Sequence, residues 1–166
     1  MAPHRDFPHL NDAGEVHMVD VAAKPSTPRR AVAEGRLVTT PEVVNLVRQH
    51  AAPKGDVLAV ARVAAIQAAK RTAEWIPLAH PVPLTHVAVE ISLEPDGFRV
   101  LATVETVWAT GVEMEALTAV TAALLTLYDM LKARDRGMVM TGVQLVEKTG
   151  GRSGTYRRTE TPPQPE

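Results

Sequence analysis

The sequence predicts an α+β fold, in which an antiparallel sheet has helices packed on one face. Three observations support this prediction. The chain has 166 residues, of which 45% are hydrophobic and 22% charged, as in a single folded domain. Segments rich in β-branched residues alternate with segments of helical periodicity. The tetrapeptide at 94–97, Glu-Pro-Asp-Gly, is a strong hairpin signal between two of the predicted strands.

The first part of the chain predicts two extended segments and a helix. Residues 16–21 and 30–39 mix β-branched and polar residues with little helical periodicity, which is typical of strands. Thr40 followed by Pro41 then predicts a helix start, and we expect this helix to end near His50.

An alanine-rich helix is predicted next. Asp56 is a suitable cap for a helix over 57–74, and six alanines leave one of its flanks almost without side-chain bulk. Such a flank lets another backbone approach closely. The segment WIPLAHPVP, at 75–83, contains three prolines and is therefore expected to be irregular but rigid.

The second part predicts a hairpin, a long helix and a final strand. The hairpin strands cover 85–93 and 97–107. The helix, expected over 112–134, has large apolar residues spaced three and four apart. A strand over 138–146 completes the order β, helices, β, β, α, β, which is the ferredoxin-like arrangement.

We expect a single domain over residues 16–154 between two tails. Residues 1–15 are polar and expected to be flexible, and residues 155–166, which are charged and proline-rich, are expected to be disordered. The absence of cysteine excludes disulfides, thiolate zinc sites and thiol nucleophiles, and fits a cytoplasmic location. With 18 basic and 19 acidic residues, and no run of 18 apolar ones, we expect neither nucleic-acid nor membrane partners.

Two acidic residues at the start of the long helix are the first candidates for a functional role. Thr110 and Glu113 have the spacing of a capping box, which would account for Glu113 structurally. Glu115 cannot make the same cap. Further along the helix, Asp129 and Lys132 share a face, where a plain surface ion pair is the alternative interpretation.

Three further residues have a setting that suits a ligand. Lys54 lies in a turn just before a helix start, where free backbone N–H groups favour phosphate. His80 is held between Ala79 and Pro81, and Lys148 precedes a glycine-rich loop at 149–154. Considered one at a time, each lysine could instead be a solvated surface residue, and His80 a hydrogen-bonded core residue. No histidine pair has the spacing of a metal site, so no metal site is predicted.

Several blocks of sequence together resemble the cyclic pyranopterin monophosphate synthase family, also known as the molybdenum cofactor biosynthesis protein C family. The blocks are MVDV at 18–21, then Lys24, Thr27 and Arg29, KGDVLAVAR at 54–62, AAKRT at 68–72, IPLAHP at 76–81, TGVEMEALTAV at 110–120, YDM at 128–130 with Lys132, and EKTGGRSG at 147–154. The resemblance extends over residues 9–154 and departs from the family pattern at Ala79 and Leu131, where cysteine is usual, and at Arg152, where lysine is usual.

The resemblance implies a lyase of molybdenum cofactor biosynthesis and makes 16–154 a catalytic domain. The implied reaction converts a 3′,8-cyclised dihydro-GTP into cyclic pyranopterin monophosphate and releases pyrophosphate. It also implies a homohexamer, a trimer of dimers, with active sites at the dimer interface. The sequence requires no cofactor, and magnesium bound by the substrate phosphates is compatible with it.

The resemblance also suggests roles for individual residues. The proposed catalytic residues are Asp129, Lys132, Lys54 and Lys148, with Lys132 and Asp129 as the central pair for proton transfer. The proposed substrate-binding residues are Leu78, Ala79, His80, Glu113, Met114, Glu115 and Arg29. For neutralising the triphosphate, the candidates are Lys54, His80, Arg29 and Lys148.

Two other classes of function remain as alternatives, because a ferredoxin-like fold alone decides nothing. The chain could be a non-catalytic ligand-binding module, or an oligomer whose small-residue helices serve only assembly. The position of the charges distinguishes these classes. Convergence in one cleft would argue against pure assembly, and scatter over the surface would argue against an enzyme. The residues to compare are Lys54, His80, Glu115, Asp129, Lys132 and Lys148.

Overall fold

A computed structural model describes residues 8–11 and 13–159. Its elements are β1 (Thr27–Val38), α1 (Pro41–Arg48), α2 (Val57–Lys70), α3 (Thr72–Trp75), β2 (His86–Glu94), β3 (Gly97–Trp108), α4 (Glu113–Leu131), β4 (Val139–Thr149) and β5 (Tyr156–Arg157). The sheet order is β2-β3-β1-β4-β5 and all neighbours are antiparallel. The first four strands have the order of the ferredoxin-like fold, so the predicted fold class is confirmed.

The predicted hairpin forms as expected. β2 ends at Glu94 and β3 begins at Gly97, with a two-residue turn between them. The backbone N–H of Thr39 donates to the Asp96 carbonyl at 2.8 Å, which attaches the turn to the end of β1. A Cβ added at Gly97 would overlap the Leu37 carbonyl oxygen, so this close approach of two strands requires glycine.

The core lies between one face of the sheet and the helices. The predicted apolar stripe of α4 faces this core, with four residues fully or nearly fully buried: Val120, Leu124, Leu127 and Leu131. The alanine flank of α2 packs against α4, and its most buried residues are Ala61, Ala65 and Ala69. α4 is long and apolar enough to cross a membrane by length and composition, but most of it is buried inside this fold.

The opposite face of the sheet is charged rather than covered by helices. Side chains of β1 form cross-strand ion pairs there, including Arg30 with Glu105 at 3.3 Å and Arg36 with Glu94 at 2.6 Å. Arg30 and Glu105 lie directly opposite each other on β1 and β3, whereas the pair of Arg36 and Glu94 joins β1 to β2, the strand beyond β3. The functional candidates therefore lie at the edges of the helical layer and not on this face.

Several predicted boundaries are wrong. Residues 16–21 form no strand, and only Val16 makes an isolated bridge, with Leu10. The second helix stops at Lys70 instead of continuing to 74, because the Thr72 hydroxyl bonds back to carbonyls of the last turn and a separate short helix follows.

The chain ends also differ from expectation where the structure describes them. Tyr156–Arg157, in the segment expected to be disordered, pairs as β5 with Glu147 and Lys148. β4 extends to Thr149, beyond the predicted end at 146, and Thr149 pairs with Arg30 of β1. Residues 1–7, 12 and 160–166, which belong to the predicted tails, lie outside the described residues.

Candidate active site

The start of α4 holds a buried carboxylate. Glu115 is 4% exposed, although it belongs to the first turn of the helix. Burial, with a further contribution from the nearby charge of Glu113, raises the pKa of Glu115 to about 7. A carboxyl group with such a pKa exchanges a proton at neutral pH, which suits general acid–base chemistry.

The predicted capping box at this helix start is not formed. Val112 is the N-cap residue and no side chain caps the helix. The Glu113 carboxylate instead folds towards Gly111, in the space that a Cβ at that position would occupy. Thr110 and Glu113 are therefore not engaged in helix capping and remain available to a neighbouring cavity.

A cavity of about 340 Å³ lies beside this turn, here called the acidic pocket. Six of the seven predicted substrate-binding residues line it: Leu78, Ala79, His80, Glu113, Met114 and Glu115. Arg29, the seventh, does not. The remaining lining residues are Pro8, His9, Val19, Val21, Lys24, Val82, Thr110 and Gly111.

The segment that carries His80 is attached to the rest of the fold near both of its ends. It begins after α3 with a turn in which the Ala79 N–H donates to the Ile76 carbonyl at 3.0 Å. Its other end is attached to β3, because the Thr106 hydroxyl donates to the Pro83 carbonyl at 2.5 Å. Between these two attachments, His80 lies at the wall of the acidic pocket.

A second cavity, of about 480 Å³, adjoins the acidic pocket and shares Lys24 and Thr110 with it. It is here called the cationic pocket. Arg29 lies in this pocket, near the loop that follows Lys148. Lys148 itself donates to the Ser153 hydroxyl and to the Gly150 carbonyl, at 3.4 Å to the latter.

The other predicted catalytic residues form a cluster at the opposite end of α4. Lys132 Nζ lies 2.7 Å from Asp129 Oδ1, and Lys54 Nζ lies 3.5 Å from Asp129 Oδ2. Lys54 also donates to the Asp129 backbone carbonyl at 3.0 Å. The hydrogen bond from Lys132, followed by the charges of both lysines, lowers the pKa of Asp129. This carboxylate is therefore ionised at neutral pH.

The predicted residues do not converge in one cleft of a single chain. Glu115 and Asp129 are fourteen residues apart on one straight helix, which places them about 21 Å apart along its axis. Arg29, His80 and Lys148 lie at the Glu115 end, whereas Lys54 lies at the Asp129 end. Within a single chain, α4 therefore separates the two groups.

Sequence reasoning gave no role to several residues that line the two pockets. Lys24 and Arg152 stand in recognised motif blocks, so the signal was present, but neither was assigned to a ligand. Pro8 and His9 belong to the segment expected to be flexible. Within residues 8–11 and 13–159, no group of three histidine or acidic side chains is placed to hold a metal ion.

The ferredoxin-like sheet, the buried carboxylate and the adjoining cationic pocket define an α+β subunit suited to a small ligand with anionic groups. The sequence profile of the MoaC family matches residues 18–151. The chain therefore belongs to the MoaC family, and the predicted family is confirmed.

Two named relatives are consistent with this family assignment. A protein of Thermomicrobium roseum named cyclic pyranopterin monophosphate synthase is 59% identical over 157 residues, which cover 93% of this chain and 95% of that protein. A protein of the same name from Streptomyces avermitilis is 51% identical over 151 residues, covering 91% and 89%. Because both relatives are named synthases, the chain is an enzyme.

Proposed function

We propose that this chain is a cyclic pyranopterin monophosphate synthase of molybdenum cofactor biosynthesis. Its substrate would be the 3′,8-cyclised dihydro-GTP, and its products cyclic pyranopterin monophosphate and pyrophosphate. The reaction breaks a phosphorus–oxygen bond to form a cyclic phosphate, so we assign it to the lyases. The observation that carries the proposal is the 59% identity to a protein of that name, over 95% of its length.

The acidic pocket suits the base of this substrate. The guanine edge presents N–H donors, for which a carboxylate is the matching acceptor. Glu113 and Glu115 line the pocket together with His80, Leu78 and Ala79. We assign the base-binding role to these residues and to Met114.

The cluster around Asp129 suits repeated proton transfer. Ring opening and reclosure at neutral pH need an acid and a base within hydrogen-bond distance of each other. Lys132 and Asp129 meet that condition at 2.7 Å, and Lys54 approaches the same carboxylate. We therefore retain Lys132 and Asp129 as the central pair, with Lys54 beside them.

The separation of the two groups leads us to propose an active site formed by two chains. One chain would supply the acidic and cationic pockets, and its partner would supply Lys54, Asp129 and Lys132. A two-fold axis would then build two equal sites per dimer. Exposed apolar side chains on the helical layer, Val60, Val63 and Leu125, support self-association, and we propose the homohexamer implied by the family resemblance.

The first test is turnover of cyclised dihydro-GTP by purified protein, followed by pterin fluorescence after oxidation and by pyrophosphate release. The variants Lys132→Ala and Asp129→Ala are expected to lose at least roughly a hundredfold in rate while remaining folded. A matched control is Arg134→Ala, which removes a neighbouring exposed cation. Absence of product from folded wild-type protein would favour the ligand-binding module instead.

Mixing of variants tests the shared site directly. Lys132→Ala and His80→Ala disable opposite ends of α4, so each variant alone is expected to be inactive. If the site spans two chains, random co-assembly of equal amounts restores about one quarter of the sites. If each chain holds a complete site, co-assembly restores none. A co-assembled pair of Lys132→Ala and Asp129→Ala is the control, because both changes lie in the same half.

In the cell, we propose a cytoplasmic location, which the absence of cysteine supports. Magnesium bound by the substrate phosphates remains a prediction from the chemistry of triphosphates.

A further inference from the structure

A buried hydroxyl group interrupts the apolar face of β3. The residues of this strand that face the core alternate along it, and four of them are fully buried: Phe98, Val100, Ala102 and Val104. Thr106 continues this alternation and is 2% exposed. An apolar side chain would suit the core at this position, because a buried hydroxyl group loses its hydration and needs a hydrogen bond in compensation. The hydroxyl group of Thr106 is therefore explained by its hydrogen-bond partner.

This hydroxyl group binds the segment that carries His80. It donates to the Pro83 carbonyl, and the two oxygens are 2.5 Å apart. Within residues 8–11 and 13–159, it is the one hydrogen bond that residues 80–84 form. Two of these five residues, Pro81 and Pro83, have no N–H to donate. Thr106 therefore holds a stretch of backbone that no other hydrogen bond fixes.

The attachment is local, because the chain on either side of it is fixed independently. The Ala79 N–H is bonded on one side and the Thr85 N–H on the other, the latter to the Glu105 carbonyl at 2.9 Å. β2 follows directly and pairs with β3 over its whole length. Loss of the Thr106 hydroxyl group should consequently release residues 80–84 and leave the sheet in place.

The strand that carries Thr106 also leads into the acidic turn of α4. Residues 109–112 are all that separates the end of β3 from Glu113, the first residue of α4. Glu113 and Glu115 line the acidic pocket together with His80. A hydrogen bond between β3 and the His80 segment therefore fixes the spacing between two groups of side chains that line the same pocket.

We propose that Thr106 is a positioning residue for the reaction, and that its hydroxyl group holds His80 at a fixed distance from the carboxyl groups of α4. The proposal rests on the proposed function, because it assumes that His80 and Glu115 contact the same substrate. Thr106 does not line the acidic pocket, so it acts through the residues that do. A displacement of about 1 Å in such residues is enough to weaken catalysis substantially.

Three substitutions separate the hydroxyl group from the shape of the side chain. Thr106→Val keeps the branching at Cβ and removes the hydroxyl group. Thr106→Ser keeps the hydroxyl group and removes the methyl group. Thr106→Ala removes both, and is the second variant without a hydroxyl group in case valine does not fit. The matched control is Thr121→Val, which removes a hydrogen bond from a hydroxyl group to the Leu117 carbonyl within α4, at 2.9 Å.

The test combines hydrogen exchange with turnover of the cyclised substrate by the assembled protein. Thr106→Val and Thr106→Ala are expected to exchange faster in residues 80–84, with the exchange of β2 and β3 unchanged. They are also expected to raise KM by roughly fivefold, the factor that corresponds to one net hydrogen bond, with a smaller change in kcat. A loss of stability alone would lower the apparent kcat and leave KM unchanged, because it only reduces the number of folded sites. Thr106→Ser and Thr121→Val are expected to behave like wild type in both measurements.

The outcomes distinguish the positioning role from the proposed function. Active wild-type protein whose KM is unchanged in both variants without the hydroxyl group would overturn the positioning role and leave the function standing. An equal rise in KM for Thr106→Ser and Thr106→Val would also overturn it, because the hydroxyl group would then not be the cause. Folded wild-type protein that does not turn over the cyclised substrate would overturn the proposed function, and the positioning role with it. Hydrogen exchange would still show in that case whether the hydroxyl group holds the segment.

Discussion

Replacing Glu115 by glutamine should make the protein more stable at alkaline pH. In the unfolded chain this carboxyl group ionises near 4.5, whereas in the fold its pKa is about 7 because burial disfavours the charge. Below about pH 4.5 the group is protonated in both states and contributes nothing. Between pH 4.5 and pH 7 only the unfolded state gains the favourable charge, so the folded state loses stability, and above pH 7 the loss is constant.

The magnitude follows from the size of the shift. Each pKa unit corresponds to about 1.4 kcal/mol, so a shift from 4.5 to about 7 corresponds to about 3 kcal/mol in the free energy of unfolding. Glutamine has nearly the same shape and does not ionise. The stability of Glu115→Gln minus that of wild type should therefore rise by about 3 kcal/mol between pH 4.5 and pH 8.

Urea unfolding at fixed protein concentration, repeated across this pH range, measures that difference. Fixed concentration is needed because subunit association contributes to apparent stability. Glu90→Gln, at an exposed position of β2, is the control for replacing a carboxyl group by an amide. A flat difference for Glu115→Gln, or one that falls with pH, would refute the argument that burial raises the pKa of this carboxyl group.

Three further changes test the fold that positions the site. Leu124→Ala, at a fully buried position of α4, should cost about 2–5 kcal/mol in urea unfolding, and a loss below 1 kcal/mol would contradict its place in the core. Gly97→Ala should cost about 1–3 kcal/mol, because its Cβ would overlap the Leu37 carbonyl; an unchanged midpoint would show that the strands can separate freely. Arg62→Ala removes the hydrogen bond from its Nε to the Val89 carbonyl at 3.1 Å, and should cost about 1 kcal/mol with faster hydrogen exchange along β2.

The order of elements could be predicted from the sequence because it depends on local patterns. Apolar residues three and four apart fixed the face of α4, and the Glu-Pro-Asp-Gly turn fixed the hairpin. The boundary of α2 failed because a side chain competed with the backbone, since the Thr72 hydroxyl ends the helix early. At α4, Val112 takes the N-cap position that Thr110 was expected to occupy, without a side-chain cap.

Which candidate residues lie near one another depends on the register between strands and on distances along helices, and the sequence motifs do not give these. Arg29 meets the glycine-rich loop because Arg30 pairs with Thr149 across β1 and β4, and that register was not predictable from the sequence. The distance from Glu115 to Asp129 was predictable, since fourteen helical residues advance about 21 Å. Motif blocks therefore identify which residues belong to a site, but not which chain supplies them.

The split between the two groups links activity to assembly. Asp129 forms salt bridges with two lysines at one end of α4, and the pocket that contains Glu115 lies at the other end. Neither end of one chain therefore offers both the buried Glu115 carboxyl group and the exposed pair of Asp129 and Lys132. If two chains meet as proposed, a lysine ammonium from one approaches a carboxylate of the other only in the dimer. A monomer would then hold the two groups apart and would not form the cyclic product. Turnover per chain should consequently fall when the protein is diluted below the dimer dissociation constant.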